Sequence, residues 1–459
     1  MTHHVEITGQ SASDIAYSVR TLIDRGQLRP GDLLPPVRTL ARDLGVNRNT
    51  TVAAYRLLAT SGLVVGQGRA GTRVADLSPG PQDGYATDGA DDTSAQVVDL
   101  ASGNPLPALI PDLRPALTAA AGHTVLYGEP VIDAGLARWA RDWFAPDVPE
   151  AFELSVTSGA VDAIERLLAQ SLMRDDAVGL EDPCFLASQQ TVRLGGYRTV
   201  PIAVDERGMT PAGLRAALEA GVRAVVCTPR AQNPTGASID AQRARQLREV
   251  LSDYPYVLVI EDDYYSLLSR VPFESIVGHE HQRWALVRSL SKFIGPDICV
   301  ALVASDRETA ARLALRLSPG TTWVSHLLQR IALAQLTDAN ARALIERAAG
   351  VYADNNAAFA RALAERGVHV GVGSTGTGST GAGAVRAGDG ISVWVPVKAA
   401  AAEVAARLAR HGWTVRPGDE FGLTEGGTAS RHIRVTVHEL SESQVEAFVT
   451  DLVVAGGYA

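Results

Sequence analysis

Five short apolar runs recur between residues 177 and 304, each separated from the next by helical or turn-rich sequence, and this alternation constrains the fold most. The runs are AVGL (177–180), RAVVC (223–227), YVLVI (256–260), WALVRS (284–289) and CVALVA (299–304). Strands alternating with helical patterns predict an α/β architecture, a mostly parallel sheet with helices on both faces. From about residue 346 a helix precedes ISVWVPV, a second helix precedes RHIRVTV, and a last helix follows. That order predicts a smaller α+β domain. The expected body is therefore a large domain over 97–345 and a small one over 346–459.

Residues 1–76 read differently. Ile15, Val19, Leu22 and Ile23 share one helical face that Gly26 can end, and Val37, Leu40, Ala41 and Leu44 share a second before Gly45. After the turn Gly45-Val46-Asn47, a third helix is expected to carry Val52, Tyr55 and Leu58 inward. GLVVGQGRAGTRV then gives two short β-runs around a Gly- and Arg-rich tip. Two helices across a short turn, followed by a β-wing, describe a winged helix-turn-helix. The stretch 77–96, LSPGPQDGYATDGADDTSAQ, reads as a flexible linker with an r.m.s. span of roughly 25 Å. A second low-complexity stretch, 371–390, reads as a surface loop insertion.

Charge follows the same division. Residues 1–75 hold nine arginines against five acidic residues, a balance of +4, which leaves −13 for the rest of a chain of net charge −9. A basic head on an acidic body predicts that the head alone meets nucleic acid. The start of a recognition helix enters the major groove, so Asn47, Arg48, Asn49, Thr50 and Thr51 are the expected DNA-reading groups. Arg38 is placed for a phosphate, and Arg69 and Arg73 on the wing for the backbone or minor groove. No apolar run reaches the roughly 18 residues that cross a membrane. The N-terminus lacks a signal-peptide pattern, and three scattered cysteines form neither a disulfide framework nor a zinc site, so a reducing cytoplasm is expected. No metal site is expected.

Of 42 basic residues only two are lysines, Lys292 and Lys398. Lysine, unlike arginine, can lose its proton and attack a carbonyl, which marks Lys292 in SLSKFIGPDI as a candidate nucleophile. In open α/β sheets ligands bind beyond the carboxyl ends of the strands. Four successive run ends offer Phe185, Asn233, Asp262 with Tyr264, and Lys292. An aromatic ring, an amide, a carboxylate, a phenol and a lysine together are what pyridoxal phosphate (PLP) chemistry requires. Ser158-Gly159-Ala160 ahead of a helical pattern suits a phosphate cradle.

The segment LPPVRTLARDLGVNRNTTVAAYRLLATSGLVVGQGRAGTRV resembles the GntR-family winged helix, and the chain from about 97 onward resembles the fold-type I aminotransferases. Together they resemble a MocR-type regulator. The resemblance implies Lys292 as Schiff-base lysine, Asp262 as partner of the pyridine nitrogen, Tyr264 and Asn233 on the 3-oxygen, and Phe185 stacked on the ring. It implies Tyr127 reaching the phosphate of a neighbouring subunit, Arg434 gripping a substrate carboxylate, and Gly103-Asn104 in a loop that closes over the substrate. The family's arginine seven residues after the lysine is here Cys299, expected to be a buried, inert thiol, which leaves Ser289 and Ser291 as neutral phosphate donors.

Three readings remain open on the sequence. The first is a homodimeric regulator of operator DNA that senses PLP or a small amine or amino-acid effector. The second is a working aminotransferase with a DNA-binding appendage, and the third a regulator whose decayed PLP site serves for dimerisation.

Overall fold

Ser11 starts the first helix by a reciprocal cap. Its hydroxyl accepts from the Asp14 N–H at 3.2 Å while the Asp14 carboxylate accepts from the Ser11 N–H at 3.0 Å, satisfying amides that a helix start leaves open. The structure, a computed structural model, describes residues 6–66, 71–75, 97–122, 124–317, 323–371, 388–424 and 426–458. Two units divide it, residues 1–80 and 81–459.

In the first unit α1 (Ala12–Asp24) buries Ile15 and Val19. The next helix, α2 (Val37–Leu44), stops at Gly45, whose φ of 67° suits glycine. The Asn47 side chain caps α3 (Arg48–Thr60) by accepting from the Asn49 N–H. Strands β1 (Val64–Gly66) and β2 (Thr72–Val74) pair antiparallel with Val64 opposite Val74. This is the expected winged helix-turn-helix. One face is corrected: α3 turns Thr51, Ala54, Tyr55 and Leu58 inward, and Val52 is 42% exposed. The i, i+3, i+4, i+7 stripe is offset by one residue because Thr51 is fully buried, a polar residue that an apolar pattern passes over. Thr51 therefore does not present a DNA-reading surface. Arg69, expected at the wing tip, and the expected linker 77–96 lie outside the described residues.

The second unit opens with β3 (Val98–Asp99), α4 (Leu113–Ala120) and α5 (Ala134–Phe144). Then follow β4 (Glu153–Thr157), α6 (Ala160–Ser171), β5 (Ala177–Asp182), α7 (Leu186–Gly195), β6 (Arg198–Asp205) and β7 (Gly208–Met209). The middle of the unit holds α8 (Pro211–Glu219), β8 (Val222–Cys227), α9 (Ala241–Ser252), β9 (Leu258–Asp262), β10 (Trp284–Ser289), α10 (Ser291–Ile294) and β11 (Ala301–Ser305). These strands form one sheet in the order β4-β11-β10-β9-β8-β5-β6-β7. The five from β10 to β6 are parallel, whereas β11 and β7 pair antiparallel with their neighbours. Successive side chains alternate between faces. Leu180, Val226 and Ile260 pack with Ile164 and Leu168 of α6 on one face, and Val225, Val259 and Leu286 pack with Leu247 of α9 on the other.

After α11 (Arg307–Leu317) and α12 (His326–Thr337), the 27-residue α13 (Ala339–Glu365) runs through residue 346 and serves two cores. Ile345 and Tyr352 join the large one, Phe359 and Leu363 the small one. The small core lies on a three-stranded sheet in the order β12 (Ser392–Pro396), β15 (His432–Thr436), β14 (Arg416–Pro417). It is closed by α14 (Ala401–Arg410) and α15 (Glu442–Ala455). A separate short strand, β13 (Trp413–Thr414), pairs parallel with β3, Trp413 opposite Val98. Most of the low-complexity stretch 371–390 lies outside the described residues; its last residues, 388–390, dock on the 230–237 loop, where the Asp389 N–H donates to the Gly236 carbonyl at 2.8 Å.

Candidate functional site

Four adjacent parallel strands, β10, β9, β8 and β5, end on the same side of the sheet. The chain beyond those ends carries Lys292, then Asp262 and Tyr264, then Asn233, then Phe185. A narrow cavity of about 20 Å3 lies there, and Lys292, Tyr264, Asn233, Gly103 and Arg434 line it. Lys292 Nζ donates to the Gly103 carbonyl at 2.8 Å. The Tyr264 hydroxyl donates to the Ala231 carbonyl at 2.7 Å. Arg434 Nη1 donates to Asn233 Oδ1 at 3.0 Å and Nη2 to the Ala101 carbonyl at 2.8 Å, with the guanidinium 4.9 Å from the centre of the Phe421 ring.

Asp262 closes β9 and is 4% exposed, and its Oδ1 has no hydrogen-bond partner. Burial, helped by the neighbouring Asp263 charge, pushes its carboxyl up to about 7. Asp263 itself points to the other face of the sheet, where Arg230 holds it at 2.7 Å and Arg288 at 3.0 Å. An unpartnered buried carboxylate is costly unless a cation meets it, and a protonated pyridine nitrogen supplies that complement. With a lysine amine, a phenol and an amide on adjacent strand ends, the residues fit PLP.

Other expected residues stand off the cavity lining. Phe185 is half-buried at the start of α7. Ser158, Gly159 and Ala160 lead into α6, which has no side-chain cap; Gly159 adopts φ 90°, and the Ser158 N–H donates to Asp162 at 3.1 Å. Ser289 Oγ accepts from the Ser291 N–H at 3.3 Å, just ahead of Lys292. Asn104 is exposed, its N–H donating weakly to Ser102 Oγ at 3.4 Å. Tyr127 is 91% exposed and packs against Trp323 with ring centres 5.4 Å apart. Neither joins the cavity.

Cys299 departs from expectation. Its thiol is exposed rather than buried, and Sγ donates to the Ser158 carbonyl at 3.3 Å, at the start of α6. The turn after Pro296-Asp297-Ile298 puts Cys299 in the left-handed region, φ 46°, and so swings the side chain out of the core. Sequence reasoning also missed Asp389, Gly390, Ile391 and Ser392, which line the cavity. A glycine-rich run followed by a strand was their only signal. Glu181 was missed as well: buried on the opposite face from Asp262, it accepts from the Thr228 N–H at 3.2 Å, and burial pushes it up to about 8. His438, beyond β15, is pushed down to about 4 by burial, with the Lys292 charge adding to the effect.

In the first unit Arg38, Asn47, Arg48 and Asn49 are exposed and Thr50 is half-buried along the start of α3 and on α2. Arg73 spends one nitrogen on the Gly31 carbonyl at 2.8 Å.

Comparison with known proteins fits both units. Residues 95–452 match the family described as aminotransferase class I and II, and residues 11–74 match bacterial regulatory proteins of the gntR family. The vitamin B6 salvage pathway transcriptional repressor PtsJ of Salmonella typhimurium is 41% identical over 97% of this chain and 98% of its own. The chain belongs to the MocR-type regulators of the GntR family. This MocR-type chain is also similar to the pyridoxine biosynthesis transcriptional regulator PdxR of Corynebacterium glutamicum, at 27% identity over 66% of this chain and 68% of that one. The probable rhizopine catabolism regulatory protein MocR of Rhizobium meliloti is 26% identical over 54% and 55%. In fold, the MocR-type body is similar to the crystal structure of Pyrococcus horikoshii kynurenine aminotransferase, with a TM-score of 0.68 and 20% identity over 80% of this chain and 92% of that one. Among the described residues no helix is long and apolar enough to cross a membrane.

Proposed function

We propose that this regulator senses PLP, or an amine or amino acid that reacts with it, in the cavity at Lys292, and converts occupancy into a change in operator affinity. The observation that carries the reading is Asp262, a buried carboxylate with one oxygen unpartnered, which is not among the residues lining the cavity but ends β9, the strand paired with β10, which leads to Lys292. Relatives tied by name to vitamin B6 salvage and pyridoxine biosynthesis support the same ligand class.

When bound, PLP supplies an electrophilic aldehyde and an electron-accepting ring. Lys292 offers the amine, and Asp262 holds a proton on the ring nitrogen. Tyr264 and Asn233 bond the 3-oxygen, and Phe185 covers a ring face. Ser158, Gly159 and Ala160 at the start of α6 receive the phosphate with Ser289 and Ser291. Arg434 binds an effector carboxylate through its planar fork, with Gly103 and Asn104 closing over it. Arg38, Asn47, Arg48, Asn49, Thr50 and the wing arginines Arg69 and Arg73 meet DNA. Two copies associate, with the exposed Tyr127 reaching the partner's phosphate, so that paired heads read two half-sites.

The test is the visible spectrum of the full chain with added PLP, beside Lys292→Ala, followed by gel-shift of the DNA upstream of its own gene with and without PLP. A band that the variant lacks, with DNA affinity that changes on adding PLP, supports the reading. No band, or DNA affinity indifferent to PLP, overturns it.

A further inference from the structure

β3 and the loop after it, residues 98–104, run from the first described residues of the second unit to the cavity. The Val98 N–H donates to the Gly412 carbonyl and the Leu100 N–H to the Thr414 carbonyl, each at 2.9 Å. The Ala101 carbonyl accepts from Arg434 Nη2 at 2.8 Å and from Arg416 Nε at 3.4 Å. Two residues on, the Gly103 carbonyl accepts from Lys292 Nζ at 2.8 Å. The two side chains assigned above to bind ligand thus both donate to backbone carbonyls of this one strap. At Gly103, φ is +64° and an added Cβ would stand 3.1 Å from Arg434 Nη2, so the backbone lies directly on the guanidinium.

Thr436 of β15 holds the strap twice. Its N–H donates to the Leu100 carbonyl at 2.8 Å, and its hydroxyl accepts from the Gly103 N–H at 3.2 Å. The same hydroxyl lies 3.1 Å from Ser392 Oγ, on the cavity wall.

We propose that the 98–104 strap is the element through which the cavity acts on the linker, with Thr436 as the positioning residue that sets its resting register. The inference rests on the PLP reading above. Capture of a ligand aldehyde by the Lys292 amine forms one carbon–nitrogen double bond, releases one water molecule and ends the donation to Gly103. A carboxylate on Arg434 competes with the Ala101 carbonyl in the same way. A buried carbonyl that loses its donor is costly, so the strap shifts when the cavity fills. A ligand moves an equilibrium only by contacts that differ between two states, and these two carbonyls supply such contacts. In sequence the strap directly follows the 77–96 stretch that leads from the first unit.

Hydrogen–deuterium exchange on the full chain, with PLP as the probe, tests this. PLP is expected to speed exchange of the 98–104 amides by about threefold or more through local opening. Lys292→Ala is expected to show the faster exchange without PLP and no further response to it. Thr436→Val is expected to keep the Lys292-dependent visible band yet lose the PLP response of the strap and of DNA affinity, and Thr436→Ser to retain both. If Thr436→Val does not fold, Lys292→Ala carries the test. A wild-type band with strap exchange unchanged or slower overturns the inference while leaving the PLP reading intact. No band at all overturns that reading, and the inference with it.

Discussion

Arg416 and Arg434 stand directly opposite each other on β14 and β15, both buried, and both aim a nitrogen at the Ala101 carbonyl. Like charges opposed across a strand pair are destabilising unless compensated. Glu420 accepts from Arg416 Nη1 at 2.9 Å, while Arg434 lies on the Phe421 ring and on Asn233. The carboxylate at Glu420 thus offsets one of the two opposed charges, that of Arg416.

Glu420→Gln removes that counter-charge and leaves a fully buried guanidinium facing another. The expected loss is about 3 kcal/mol of stability, read from urea unfolding midpoints of the PLP-free protein. A midpoint equal to wild type rejects the compensating role.

Asp262 predicts a pH dependence. Its folded-state carboxyl stands at about 7 against an ordinary 3.8, because burial and then the Asp263 charge disfavour ionisation. The unfolded chain ionises first as pH rises, so stability is lost progressively between about pH 4 and pH 7 and stays lost above. Glu181, at about 8, and Glu261, at about 7, act in the same direction. The PLP-free protein is therefore expected to be more stable at about pH 6 than at about pH 8.5. Asp262→Asn should flatten that slope by on the order of 2 kcal/mol and weaken PLP binding by about tenfold or more. Unfolding midpoints across pH, with and without the variant, decide it.

In the head, Thr51 and Arg48 should behave oppositely. The Thr51 hydroxyl is buried without a partner, so Thr51→Val is expected to add about 1 kcal/mol of stability and leave DNA affinity unchanged. Arg48→Ala should leave folding intact and weaken operator binding by about 1–3 kcal/mol. Melting curves and gel-shifts at one salt concentration separate the two effects.

Cys299 is exposed while Cys184 and Cys227 are buried. Titration of the native protein with a thiol reagent should therefore modify one cysteine and spare two. Burial and the Asp162 and Asp297 charges raise the Cys299 thiol above its ordinary value, so modification at neutral pH should be slow. PLP should slow it further if the phosphate sits at the start of α6. Equal rates with and without PLP would separate Cys299 from the phosphate.

The strand ends were legible because each follows an uninterrupted apolar run, and parallel strands bring their carboxyl ends to one side. Lys292 was legible because the chain uses lysine so rarely. Strand direction was not: CVALVA has the same apolar character as its neighbours, yet β11 runs antiparallel. Nor was β6, whose Arg198 and Pro201 interrupt any apolar pattern. Thr51 was misplaced because its hydroxyl suggests a surface although the side chain is fully buried. The strap was invisible for a different reason. Its contacts with Lys292 and Arg434 run through backbone carbonyls, which every residue carries and no side-chain pattern reports.

The pairing of β3 with β13, and of the strap with Arg416 and Arg434, fixes an order of events during synthesis. The donors to the Ala101 carbonyl lie more than 300 residues downstream of it, a delay of roughly 15 to 70 seconds at about 5–20 residues per second. The chain of the first unit is complete early in that interval, whereas the second unit still lacks the donors to its Ala101 carbonyl. Between those moments the chain of the winged helix-turn-helix is already made while the Lys292 cavity still lacks Ser392 and Arg434 from its wall, so any ligand the cavity takes must wait until the last strands leave the ribosome.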